Sequence, residues 1–134
     1  MRAGRCGALA GAVLMAATCA GAQTSALKSI MREKLSHSQQ LLDAVVTSRW
    51  APLEEHALAL KKVTERPAWM VLQSSEYARD TTRFVRALDD LLDAARRKDL
   101  EQTPTAYNAL TLSCVQCHRH VARMRLAGAV AARP

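Results

Sequence analysis

Between residues 22 and 127 the chain contains no glycine, and no stretch of it alternates apolar and polar residues with a period of two. Tight hairpin turns lean on glycine for their positive φ, and alternation is the mark of a half-buried strand. A sheet would therefore lack both its turns and its faces here. Apolar residues return instead at spacings of three and four, which is the period of one helix face. The expected fold class is all-α, and 134 residues leave room for one domain.

Breaks, several of them marked by proline, divide the pattern into four segments. The first, residues 24–47, carries Leu27, Ile30, Met31, Leu35, Leu41, Leu42, Val45 and Val46. Ser38 and Gln39 interrupt that stripe, so something other than a large aliphatic side chain must fit against its middle. The second segment opens at Pro52, a good first-turn residue, and runs through Leu53, Ala57, Leu60 and Val63 to stop before Pro67. A short connector, residues 68–75, holds Trp69 and Met70. The third segment, residues 76–98, repeats Tyr77, Thr81, Phe84, Leu88, Leu91 or Leu92, and Ala95. It ends in Arg96-Arg97-Lys98, cations that suit the negative end of a helix dipole. Thr103-Pro104 reads as an N-cap followed by proline in the first turn. The fourth segment then carries Tyr107, Leu110, Cys114, Cys117, His118, Val121 and Met124. Four amphipathic helices with short connectors most simply make an antiparallel up-down-up-down four-helix bundle, whose cofactor sites lie in the core between facing helices.

The N-terminus has the layout of an export signal. Arg2 and Arg5 form a short basic region, residues 9–17 an Ala-rich apolar one, and Ala20-Gly21-Ala22 a small-x-small cleavage pattern. The apolar run is too short for a membrane span, which needs roughly 20 residues. The expected division is a signal peptide over residues 1–22, cleaved after Ala22, and one domain over residues 23–134 in the periplasm. Cys6 and Cys19 leave with the signal, so Cys114 and Cys117 are the cysteines that remain. The net charge of +7 falls by two with Arg2 and Arg5, and the remaining cations are interleaved with twelve acids. With few aromatics and no stacking platform, the pattern speaks against nucleic-acid binding. The basic groupings at Arg96-Arg97-Lys98 and at Arg119, Arg123 and Arg125 suit solvated helix surfaces or docking to an acidic partner.

The chemistry gathers in Cys114-Val115-Gln116-Cys117-His118. Two thiols with two residues between them can add across the two vinyl groups of one haem, and the histidine that follows is placed to ligate its iron. Haem c is assembled outside the bacterial cytoplasm, so the motif and the export signal agree. Other readings stay open. A redox dithiol needs its first cysteine at a helix N-terminus, where the dipole lowers the thiol pKa, whereas these lie about three turns into a helix. A zinc site needs a fourth ligand, and His120 points about 200° away from His118 on a helix. A plain disulfide accounts for the cysteines but leaves the histidine unexplained.

The four-segment pattern, the Cys114-x-x-Cys117-His118 motif in the last helix and the signal peptide together resemble the class II c-type cytochromes, the cytochrome c-prime group and its low-spin relatives. The resemblance covers residues 27–125, including Pro67-Ala68-Trp69 and the run from Tyr77 to Phe84. It implies one covalent haem c in the bundle core, held by Cys114 and Cys117 with His118 on the iron. It also implies electron exchange with periplasmic redox proteins rather than an enzyme activity, and by analogy pairing of two copies. Relatives with a methionine on the first helix are six-coordinate carriers, for which Met31 is the candidate distal ligand. Relatives whose distal face is blocked by an aliphatic or aromatic side chain are five-coordinate and bind small gases, nitric oxide in particular; Leu35 would then cover that face. His37, His56 and Met70 are weaker candidates for the sixth position, and Arg32 with His37 forms no recognisable peroxidase pair. Family members often carry a basic residue one turn after the ligating histidine; here that position is Ala122, with Arg123 next along.

Overall fold

A computed structural model describes the backbone of residues 10–69 and 74–131, and the side chains of residues 25–69 and 74–127. The expected export segment's side chains, with Cys6 and Cys19, and Met70 in the connector lie outside the described residues. The described residues form four α-helices, α1 (Ala10–Val46), α2 (Trp50–Val63), α3 (Ser75–Arg96) and α4 (Gln102–Ala131), with a 3-10 turn at Pro67–Trp69. No strand occurs among the described residues, and no helix there is long and apolar enough to cross a membrane.

Each helix boundary has a local cause. α1 and α3 end without glycine by the same device. Ser48 (φ 52°) and Lys98 (φ 53°) take the left-handed conformation just past the helix. At α1 the Ser48 and Arg49 N–H groups then reach back to the carbonyls of Val45 and Ala44; at α3 those of Lys98 and Asp99 reach Ala95 and Ala94. These paired bonds satisfy carbonyls that the helix end leaves open. Pro52 sits at the third helical position of α2, where a missing N–H costs nothing. Ser74 caps α3, its hydroxyl accepting from the Tyr77 N–H at 3.1 Å. At α4 the expected cap is corrected. The Asp99 carboxylate accepts from the N–H groups of Glu101 and Gln102, and Thr103 lies inside the first turn, its hydroxyl donating to the Asp99 carbonyl. An ionised side chain fits the positive end of the helix better than a hydroxyl does.

α1 packs on α2, α2 on α3 and α3 on α4, while α1 and α4 meet over a shorter stretch. Leu41, Leu53, Leu60, Val63, Leu88, Leu91 and Leu110 are fully buried in the shared core. Each such side chain is worth roughly 1.5–3 kcal/mol of burial. Both Leu91 and Leu92 are inside, so the third helix is broader in its apolar face than one residue per turn.

The stripe expected on α1 holds in part and is otherwise rotated: Ile30 and Leu41 are buried, and Met31 and Val45 pack against the core. Ile30, Lys34, Leu41 and Ala44 form its inner face, whereas Leu35, Leu42 and Val46 are exposed, Leu35 at 60 % and Val46 at 73 %. At about 100° per residue those three fall more than a quarter turn from the inner face. The lysine at the centre of that face is what misleads the pattern. Where Ser38 interrupts the stripe, the Tyr107 hydroxyl of α4 donates to the Ser38 carbonyl at 3.0 Å, filling the place of an aliphatic side chain with a polar tie between the first and last helices.

Candidate functional site

Cys114, Cys117 and His118 are spaced i, i+3 and i+4 on α4, which puts them side by side on one face. Both cysteines are half-buried and packed against the core. Cys117, and His118, which is itself exposed, border an open cleft of about 780 Å³ that is lined by Leu27, Met31 and Lys34 of α1, Trp69 of the 3-10 turn, Tyr77 of α3 and the C-terminal part of α4. That volume is within the roughly 300–1,000 Å³ of cofactor pockets. Met31 thus stands on the α1 wall of the cavity whose α4 wall carries His118. Leu35, the residue expected to cover an open distal face, is turned to solvent and is not among the lining residues; the rotation of the α1 stripe is the reason.

The aromatic walls are fixed by hydrogen bonds. The Trp69 indole N–H donates to the Thr81 hydroxyl at 3.1 Å, and the Tyr77 hydroxyl donates to the Trp69 carbonyl. Burial, reinforced by the nearby Cys117 sulfur, pushes the Tyr77 phenol up to about 12, so it remains a donor throughout the neutral range. Burial likewise raises the Cys117 thiol, with the Asp80 carboxylate adding to the effect and Lys34 opposing it. A thiol held neutral in this way does not suit a redox nucleophile. Both sulfurs are free, and among the described residues no three His, Cys, Asp or Glu side chains converge as a metal set would.

Sequence reasoning missed Lys34. It is only 8 % exposed, its ammonium lies 4.1 Å from the Phe84 ring centroid and 4.5 Å from that of Trp69, and no carboxylate is paired with it among the described residues. Desolvation lowers its pKa, an effect the Cys114 and Cys117 sulfurs oppose. The signal was present as a lysine interrupting the inner face of α1, but polarity alone reads as a surface position.

The other candidates lie elsewhere. His37 and His56 face each other, with Nδ1 atoms 3.1 Å apart, and neither lines the cavity. Arg32 is exposed. His120 contacts the Met124 sulfur at 3.0 Å and faces a separate hollow of about 330 Å³ together with Arg79, Arg83, Arg119 and Arg123. Ala122 lines the main cavity, Arg123 does not, and the α4 arginine that does is Arg125. No family model, curated protein or solved structure matches the chain, so the likeness drawn above rests on its own residues.

The cavity's donors fit an iron porphyrin. A largely apolar slot with Trp69 and Tyr77 on its walls would suit the macrocycle; Cys117 and His118 line it, and Cys114, one turn earlier on α4 and packed against the core, would supply the second thiol for attachment. A thioether on the facing helix suits a second axial position.

Proposed function

We propose that residues 23–134 constitute a periplasmic monohaem c-type cytochrome that carries electrons, folded as an antiparallel up-down-up-down bundle with the haem in its core. Cys114 and Cys117 would hold the group through thioether links and His118 would bind its iron. The observation that carries this reading is that Cys117 and His118 share one cofactor-sized cavity with Met31. When bound, the haem supplies a one-electron iron couple. The chain's own part is to place ligands and keep water out. The Met31 thioether, if on the iron, would favour its ferrous state and a higher potential, and Trp69 and Tyr77, each held by a hydrogen bond, would form part of the slot's wall.

Docking to an acidic redox partner is supported by Arg119 and Arg123 of α4 beside the motif; Arg79 and Arg83 of α3 line the same hollow but are paired there with Glu76 and Asp80. Pairing of two copies is supported by the exposed row Leu35, Leu42 and Val46 on α1.

A second reading, a five-coordinate module for nitric oxide or another small gas, is favoured by Lys34. An unpaired ammonium in the cavity would stabilise negative charge on a bound diatomic.

Protein made in a host competent in cytochrome maturation tests the reading. Its mass should exceed that of the polypeptide from residue 23 by one haem, and Cys114→Ala/Cys117→Ala should weigh only as the bare chain. Bare mass in the unsubstituted protein would refute it. A low-spin ferric spectrum, unresponsive to carbon monoxide on reduction and converted to high spin by Met31→Ala, supports the carrier. High-spin iron that binds carbon monoxide readily, with no change in Met31→Ala, supports the gas module.

A further inference from the structure

Away from the cavity, the α1–α2 interface brings two imidazoles together. The Nδ1 atoms of His37 and His56 are 3.1 Å apart, both rings are half-buried, and the ring centroids are 5.3 Å apart with the planes tilted by 45°. In the metal-free pair one Nδ1 must carry a proton and donate it to the lone pair of the other.

That spacing has a second use. Two metal–nitrogen bonds of about 2.0–2.1 Å meeting at roughly 90–110° hold their nitrogens about 2.9–3.4 Å apart. The observed separation lies inside that interval, so a cation can replace the shared proton with little movement of either helix. The donor ring needs only to shift its proton from Nδ1 to Nε2, and no electron changes hands. Each ring is anchored on a different member of a packed helix pair, so the ligands are organised before the ion arrives and little ordering remains to oppose binding.

The nearby acid is already engaged. Glu33, one turn before His37, makes two hydrogen bonds to Arg66 at 2.5 and 2.7 Å. The site is therefore made of neutral nitrogen donors, with water in the remaining positions. Imidazole donors of this kind suit late divalent transition ions rather than calcium or magnesium, and affinity should peak at copper.

We propose that His37 and His56 form a two-histidine site for a late divalent transition metal, with Cu(II) bound most tightly. The inference is independent of the haem reading.

The test titrates Cu(II), Ni(II), Zn(II) and Mg(II) as simple salts into the mature protein, followed by calorimetry and by the electron paramagnetic resonance of bound copper. One copper per chain should bind, its spectrum split by two nitrogens, with Ni(II) and Zn(II) weaker and Mg(II) silent. His37→Ala and His56→Ala should each weaken copper by more than the roughly 10–100-fold that follows loss of an outer-sphere partner. His37→Gln and His56→Gln, which keep side-chain bulk at the interface, should do the same with an unchanged helical circular dichroism. His120→Ala should bind copper as the parent does. Copper that binds equally to the His37 and His56 variants, that shows a single nitrogen, or that fails to bind the parent at micromolar concentration overturns the proposal.

Discussion

The two halves of this molecule's interior are built differently. Around Leu41, Leu53, Leu60, Leu88 and Leu91, aliphatic side chains from the first three helices close on one another and reach complete burial. Around Met31, Trp69, Tyr77 and His118, side chains of comparable size surround a space of about 780 Å³ instead of filling it. The first half is held by the hydrophobic effect and close packing. The second is held open by hydrogen-bonded aromatic walls and carries the reactive groups. Stability and chemistry are thus segregated along the bundle, and substitutions should sort accordingly.

The largest effect belongs to the packed half. Leu91→Ala should cost about 2–5 kcal/mol in urea unfolding, with little change in the spectrum of the proposed haem; a cost below about 1 kcal/mol would mean that this half is not close-packed. Next comes Tyr77→Phe at the border. Losing the bond to the Trp69 carbonyl should cost about 1 kcal/mol near neutrality. Its pH profile is more telling. The folded chain keeps the phenolic proton up to about 12 while the unfolded chain releases it near 10.0. Stability present below pH 10 is therefore lost as pH rises towards 12, and Tyr77→Phe should flatten that fall.

Lys34→Met probes the cavity wall and has the opposite sign. The folded-state pKa of Lys34 lies below its ordinary 10.5, so in that interval the unfolded chain holds the extra proton and stability rises with pH. The variant should lose this rise. At neutral pH its net change should stay under about 1 kcal/mol, because relief of desolvation offsets the lost ring contacts. The smallest effect is expected for Leu35→Ser, under about 0.5 kcal/mol on the monomer and nothing in the visible spectrum. A spectral change there would return Leu35 to the distal face and undo the contrast.

The packed half was the more legible one. Period and proline placement alone located α2, α3 and α4, because their inner faces are made of the residues that period rules count. The α1 face was read too wide: Ile30 and Leu41 are inside, but Leu35, Leu42 and Val46 were counted with them, since Lys34 occupies the centre of the true inner face. The ends of α1 and α3 were expected at 47 and 98, within two residues of Val46 and Arg96, but how they close was invisible: the expected glycine is absent, and a left-handed serine or lysine leaves no compositional mark. At the site, Cys114, Cys117 and His118 announced themselves by spacing, and Met31 by its helix. Lys34 and the His37–His56 pair did not, because what distinguishes them is a neighbour from another helix.

The tie from the Tyr107 hydroxyl to the Ser38 carbonyl spans 69 positions of chain. Contacts that distant form late in folding, after loop-closure entropy has been met. Because the tie joins parts of the chain so far apart, the spacing of α1 and α4 is set by tertiary contact and not by either helix alone.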